Sequence, residues 1–317
     1  MPMAVGERAV AVDLGGTNLR VALVRWDGVI EARRSERTPP GGPGGVIERM
    51  VALIGETAAE AGDERLPVGV AVPGPLDPAP GIVAYTPNLP GWRRFPLGAT
   101  LRSHLGRSTR LVNDGNSAAV GEARFGAAKG CDDLVYLALG TGVGGGIISA
   151  GRLLEGATGL AGEVGHVTVA LDGGRCTCGS VGCLETFAAG WAIKRDAELV
   201  AATAEGRRLR ELAGDGPVTP PMVAAAAVEG DPAGVRLLQR AGRALGAAMG
   251  VFVNLFNPKL IVVGGGIATL GDPLLGPAEA AIADHCFPLG REEVRIERST
   301  LGDDTALLGA AALALDA

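Results

Sequence analysis

Asp13-Leu14-Gly15-Gly16-Thr17-Asn18 stands between two runs that read as β-strands, Ala9 to Asp13 and Leu19 to Arg25. A P-loop or a dinucleotide fingerprint follows its glycines with a helix, because the helix N-terminus holds the phosphate. Here a strand follows instead, which points away from both folds. Glycines in such a hairpin let backbone N–H groups approach phosphate oxygens closely, and Thr17 and Asn18 add side-chain donors. Asp13 is placed to hold a magnesium ion through water. The alternative for the same six residues is an ordinary β-hairpin turn.

Working outward, a third strand spans Val29 to Arg37 after the Asp27-Gly28 turn. Val46, Met50, Leu53, Ile54 and Thr57 recur at helical spacing. A buried strand, Val68 to Val72, stops at Pro73-Gly74-Pro75, and a Pro/Gly-punctuated loop covers Thr86 to Trp92. A helix is predicted near Leu97 to Leu105. The strand Arg110 to Val112 then delivers Asn113-Asp114 to a helix starting at about Asn116.

The order begins again with a strand, Leu134 to Leu139, a glycine loop, Gly140 to Gly146, and a strand, Ile147 to Ser149. Gly140 to Gly145 formally matches G-x-G-x-x-G, but the required helix is again missing. Paired with the first loop, Gly140-Thr141-Gly142 reads as the other half of a phosphate clamp. Ala-rich helices are predicted over Glu185 to Ala204 and Val235 to Phe256, with a last one over Asp304 to Leu315. Gly264-Gly265-Gly266 follows the strand Leu260 to Val263 and suits close approach of an adenosine, or a simple strand-to-helix turn. The pattern implies an α/β protein with a hinge near 113 to 121, a smaller domain over 1–115 and a larger one over 116–302.

Three of five cysteines fall in Cys176-Thr-Cys178-Gly-Ser-Val-Gly-Cys183, ten residues after His166. Three thiolates and one imidazole fill a tetrahedral zinc shell and leave no open position, so the site reads as structural Zn2+. Free thiols in a tight loop are the alternative. Cys131 and Cys286 stand alone and read as small buried hydrophobes.

Asp114, at a strand end and a helix start, is either a helix N-cap or a general base taking the proton of an attacking hydroxyl. A sugar site needs carboxylates and amides that bond hydroxyls, and Glu163, Glu185, Asn88 and Asn113 supply them, although each alone also suits a solvated surface.

The chain has 317 residues, 47% of them apolar, and a formal charge of −6. Only three lysines occur, and the arginines are scattered, which excludes a nucleic-acid surface. Neither a secretory signal nor an apolar run of membrane-spanning length is present, so a cytoplasmic protein without membrane contact is expected.

Together these residues resemble the ROK family of repressors, open reading frames and sugar kinases, and most closely its ATP-dependent glucokinases. Asp13 to Arg20 is similar to the family's first phosphate motif, and Asn113-Asp114 with Ala118-Ala119 and Gly121-Glu122 to the motif of its catalytic aspartate. Glu163-Val-Gly165-His166 is similar to the sugar motif, and Cys176 to Glu185 matches the zinc motif throughout. The likeness runs from residue 13 to the glycines at 264.

The resemblance implies an actin-like (ribonuclease H-like) fold of two α/β domains with an interdomain cleft that closes over substrates. The C-terminal helix, about 303–317, would pack on the first domain. Asp114 would be general base toward the sugar 6-hydroxyl. Gly74, Asn88, Asn113, Glu163, His166 and Glu185 would line the sugar, with His166 binding zinc as well. Gly15, Gly16, Thr17, Gly140, Thr141 and Gly142 would hold the phosphates of ATP. A homodimer or homotetramer is expected. Kinases for N-acetylmannosamine, N-acetylglucosamine or fructose are alternatives. A sugar-responsive repressor is another, against which only twelve residues ahead of Asp13 leave no room for a DNA-binding domain.

Overall fold

The computed structural model describes residues 7–86 and 89–316. Strands β1 (Arg8–Leu14), β2 (Asn18–Arg25) and β3 (Ile30–Arg37) run into helix α1 (Pro43–Glu60). Then come β4 (Val68–Val72), β5 (Leu76–Asp77), β6 (Ile82–Tyr85), β7 (Arg93–Phe95), α2 (Leu97–Leu105), β8 (Thr109–Asn113) and α3 (Asp114–Phe125). The second part opens with β9 (Leu134–Leu139), β10 (Val143–Ser149) and β11 (Arg152–Leu153). Helices α4 (Glu185–Ala188), α5 (Gly190–Ala201), α6 (Arg207–Ala213), α7 (Pro220–Val228) and α8 (Pro232–Phe256) follow. The chain continues through β12 (Leu260–Gly264), α9 (Asp272–Ile282), α10 (Pro288–Glu293) and β13 (Arg295–Arg298) to α11 (Thr305–Leu315).

Contacts divide the chain into two compact units. One comprises the described residues of Met1–Asp132, Gly146–Gly162 and Thr300–Ala317, the other Asp133–Gly145 and Glu163–Ser299. In the first, a sheet runs in the order β3-β2-β1-β4-β8. β1 pairs antiparallel with β2 and parallel with β4, which pairs parallel with β8. Alternation along β1 sorts the faces. Val10, Val12 and Leu14 pack with Met50, Leu53 and Ile54 of α1, whereas Ala11 and the neighbouring Ala22 and Ala71 pack with Leu307, Leu308, Ala310 and Ala311 of α11. Each fully buried leucine of this kind contributes about 1.5–3 kcal/mol.

Small residues set the second face because α11 approaches closely. A Cβ on Gly69 of β4 would lie 1.9 Å from the Ala310 carbonyl oxygen. Where α3 and α11 meet, Cβ atoms on Gly121 and Gly309 would lie 2.3 and 1.7 Å from the carbonyl oxygens of Thr305 and Ser117.

In the second unit, β12 lies parallel to β9 on one side and to β13 on the other. The sheet containing them has the order β11-β10-β9-β12-β13. By rank in the chain this repeats the 3-2-1-4-5 order of the first sheet. The long helix α8 packs on α9 through Gly242 and Gly246, whose added Cβ atoms would meet the carbonyls of Leu274 and Ala278 at 2.4 and 2.2 Å.

Four sequence expectations differ from the structure. The glycine loop is shorter than predicted, because β10 starts at Val143 and takes Gly144, Gly145 and Gly146 into the strand. The helix predicted over Glu185 to Ala204 is broken at Ala189, whose backbone is extended at φ −70°, ψ 154°. Helix α3 starts at Asp114 rather than near Asn116. The contact-dense unit therefore runs past the expected boundary at 115, since Gly121 of α3 packs into α11. Among the described residues no helix is long and apolar enough to cross a membrane.

Candidate active site

Three of the expected segments lie at one end of the first sheet. Asp13 is in register with Ala71, and Val72 with Asn113, so the turn after β1, the Pro73-Gly74-Pro75 turn and the Asn113-Asp114 corner all leave the carboxyl ends of neighbouring parallel strands. Open α/β sheets place ligands at such ends.

The first turn is braced from below. Thr38 donates its amide to the Thr17 carbonyl at 2.9 Å and its hydroxyl to the Gly15 carbonyl at 2.6 Å. Gly16, Thr17 and Asn18 stay exposed. Asp13 is buried and paired with Arg20, its cross-strand neighbour, which donates from Nε at 2.9 Å and again from Nη2. Burial raises the Asp13 carboxyl above its ordinary value, Arg20 opposes the rise, and Asp303 and Asp304 add to it.

At the β8–α3 corner the helix cap is Asn113. Its Oδ1 accepts the amides of Gly115 and Asn116 at 2.9 and 3.1 Å, and its Nδ2 donates to the Gly74 carbonyl at 3.1 Å. Asn113 is thus a clip between two site segments as well as a polar group. Asp114 is the first helical residue, half-buried, and its Oδ1 accepts the Gly115 amide at 2.8 Å. Gly74 has φ +83°, and a Cβ there would lie 2.5 Å from the Tyr85 carbonyl oxygen, so only glycine suits the turn. Asn88 lies outside the described residues.

The remaining segments belong to the second unit. Gly140 and Gly264 stand at or just past the ends of β9 and β12, which are paired in parallel register. Gly265 has φ +88°, and its added Cβ would strike the Leu139 carbonyl at 2.3 Å, while the Ile267 amide bonds the same carbonyl at 2.9 Å. The triple glycine is therefore seated beside the start of the loop Gly140-Thr141-Gly142. The carbonyls of that loop are held by α5, whose Gly190 and Trp191 amides donate to Gly140 and Thr141 at 2.8 and 3.4 Å.

Glu163 caps a short 3-10 turn, Val164–His166. Its Oε2 is 4.0 Å from His166 Nε2, and the other ring nitrogen, Nδ1, faces Cys176 Sγ at 3.7 Å. Burial raises the Glu163 carboxyl, the His166 ring lowers it, and Glu185 raises it. Cys178 Sγ and Cys183 Sγ are 3.7 Å apart, and the ligand atoms of His166, Cys176, Cys178 and Cys183 all lie within 4.8 Å of one another. Sulfurs sharing a tetrahedral zinc at about 2.3 Å are separated by about 3.8 Å. The donor set fits that ion. Without an ion, burial and the neighbouring Cys178 and Cys176 sulfurs push the Cys183 thiol up to about 12.

Glu185 is only 9% exposed, and its carboxylate bonds within the second unit. Oε2 accepts the Val143 amide at 3.0 Å, and Oε1 accepts from the Thr177 hydroxyl at 3.3 Å with Cys176 Sγ at 3.8 Å. Three participants were not picked out in the sequence: Val143, Thr177 and Gly190. Val143 and Gly190 act through backbone amides, which carry no residue signature, although a glycine inside an Ala-rich helical run marks Gly190 as a break.

The ROK family model matches residues 9–317 of the chain. A glucokinase from Thermotoga maritima is 36% identical over 312 residues, covering 96% of each chain. Among solved structures, a ROK hexokinase from Thermus thermophilus matches with a TM-score of 0.82 at 33% identity over 97% of both chains. A ROK family glucokinase from Streptomyces griseus, in complex with glucose and AMPPNP, matches with a TM-score of 0.82 at 32% identity, covering 98% of this chain and all of that one. With the two glycine turns, the Asn113-Asp114 corner and the cysteine cluster in place, the chain belongs to the ROK family.

Proposed function

We propose that the protein is a glucokinase that transfers the γ-phosphoryl group of ATP to the 6-hydroxyl of glucose. The observation that carries this reading is the β8–α3 corner. Asn113 performs the capping, so Asp114 stands at the helix start without serving as the cap, at the sheet end where the phosphate turn and the Gly74 turn also emerge.

In this mechanism Asp114 accepts the proton of the 6-hydroxyl as its oxygen attacks phosphorus, and ADP leaves with the electron pair of the broken P–O bond. Such a base contributes about 10²–10⁴-fold. Glu163 and His166 bond the other sugar hydroxyls, Asn113 and Gly74 shape the same pocket, and Glu185 offers its remaining lone pairs. The amides of Gly15 to Thr17 and of Gly140 to Gly142 take the phosphates, and Gly264 to Gly266 admit the adenosine. Asp13, at the root of the first turn and held by Arg20, would hold the magnesium–nucleotide complex through water. Magnesium, when bound, neutralises phosphate charge. Zinc, when bound, fixes the loop that carries Glu185.

The test is a coupled ADP-release assay over hexoses and N-acetylhexosamines. Glucose is expected to give the highest kcat/KM, and a better N-acetylhexosamine would move the assignment to that sugar. Absence of ADP release with every sugar would overturn the reading. The same reading carries a cytoplasmic home and a homodimeric or homotetrameric assembly, which sedimentation measures.

A further inference from the structure

Val143 is where three segments of the second unit meet. Its amide is bonded by Glu185 Oε2 at 3.0 Å, and its carbonyl lies against Gly165, where an added Cβ would approach to 2.0 Å. Gly142, one residue earlier, is equally tight, because a Cβ there would meet Glu185 Oε2 at 2.6 Å. The other carboxylate oxygen of Glu185 receives the Thr177 hydroxyl, between the ligands Cys176 and Cys178. Glu185 itself follows the ligand Cys183 by two residues and opens α4, whose break at Ala189 sends the Gly190 amide back to the Gly140 carbonyl. One buried carboxylate thus joins the cysteine loop to the glycine loop.

We propose that Glu185 is a positioning residue that couples zinc occupancy to the nucleotide phosphate loop. The inference rests on reading Gly140-Thr141-Gly142 as that loop. Thiolates drawn to one ion set the position of Thr177 and of α4, and these aim Glu185 at the Val143 amide. With the ion gone, Oε1 loses its fixed donor, and the carboxylate no longer holds the loop in the conformation that presents its amides. Metal binding and nucleotide binding then share a free energy, as linkage requires of two sites biasing one element. A carboxylate serving sugar hydroxyls alone would leave nucleotide affinity in the absence of sugar untouched.

The experiment is calorimetric titration of ADP, without sugar, into zinc-loaded and dipicolinate-stripped protein, for wild type, Glu185→Ala and Glu185→Gln. Stripping wild type is expected to weaken ADP about tenfold, or about 1.4 kcal/mol. Glu185→Ala should bind ADP as weakly as stripped wild type whether or not zinc is present. Glu185→Gln, which keeps an acceptor for Val143 and places a donor toward the sulfurs, should retain the zinc effect. Unchanged ADP affinity on stripping wild type, or a full zinc effect in Glu185→Ala, would overturn the coupling. Failure of zinc-loaded wild type to bind ADP at all would instead overturn the reading of the glycine loop.

Should stripping unfold the protein, amide exchange over residues 140–145 in the two zinc-loaded forms decides the matter. Faster exchange in Glu185→Ala supports the coupling, and equal exchange with equal ADP affinity refutes it.

Discussion

Arg20 donates from Nε to Asp13 Oδ2 at 2.9 Å across the β1–β2 pair, while its Nη1 reaches the Asp303 carbonyl at 2.7 Å. The guanidinium therefore fastens the root of the Gly15-Gly16 turn to the segment that leads into α11. Burial raises the Asp13 carboxyl first, Arg20 counters it, and Asp303 and Asp304 reinforce it. A buried acid with a raised folded pKa stabilises the fold below its unfolded pKa, and that contribution is lost as pH climbs through the folded value. Arg20→Met removes the opposing charge, so the rise is larger. The variant's stability deficit is expected to be small in acid and to reach about 1–3 kcal/mol near neutrality. Urea unfolding at about pH 5 and about pH 7.5 measures it, and a deficit independent of pH would show that Arg20 acts by packing alone.

Asp114→Asn keeps the shape at the first position of α3 and leaves the Asn113 cap in place. Glucose affinity is expected to stay within about twofold of wild type while kcat falls by about 10²–10⁴. Steady-state kinetics beside sugar titration separate the two. A variant with near wild-type turnover would remove Asp114 from the chemistry.

Gly309→Ala places a methyl group into the Ser117 carbonyl, 1.7 Å from an ideal Cβ position. Backbone cannot give way there as a flexible side chain would, so the loss is expected to reach about 3 kcal/mol or more. Because Ser117 lies three residues along α3 from Asp114, activity should fall with stability. Thermal melting checks the first part. Gly276→Ala, inside α9 with nothing within 4 Å of the added carbon, is the control and should melt no lower than wild type.

Cys178→Ser replaces the exposed member of the cysteine set. Zinc content is expected to fall from about one ion per chain to near none, with a lower melting temperature that added zinc does not restore. Cys131→Ser should keep its zinc. Elemental analysis reads both, and full zinc in Cys178→Ser would break the ligand assignment.

Much of the fold was legible because its determinants are local. The hairpin around Gly15 and Gly16, the alternation of β1, and the ends of α2 follow from short-range pattern. The glycines at 144 to 146 were misleading for a physical reason. In β10 they permit close packing rather than turning, since added Cβ atoms on Gly145 and Gly146 would strike the Tyr136 carbonyl at 2.2 Å and Asn116 Cα at 2.9 Å. A glycine's neighbours in space cannot be read from its neighbours in sequence. The break at Ala189 has a local mark in Gly190, but its partner, the Gly140 carbonyl, has none.

In the site, the residue types were legible and the partners were not. Cys176, Cys178, Cys183 and His166 announce an ion by chemistry and spacing. Glu185, next in the same stretch, suits a sugar pocket because a carboxylate accepts hydrogen bonds from hydroxyls. Its partners, the Val143 amide and the Thr177 hydroxyl, have no pattern that singles them out.

The last helix of the chain covers one face of the first sheet, where Ala11, Ala22, Ala71 and Val112 lie against Leu307, Leu308, Ala310 and Ala311. On the ribosome that face stays uncovered until residues 305–315 have been made, long after β1 has emerged, so the first unit cannot close while the second is being synthesised. Vectorial synthesis, which usually lets an amino-terminal domain mature early, here leaves its apolar side without a cover until α11 emerges.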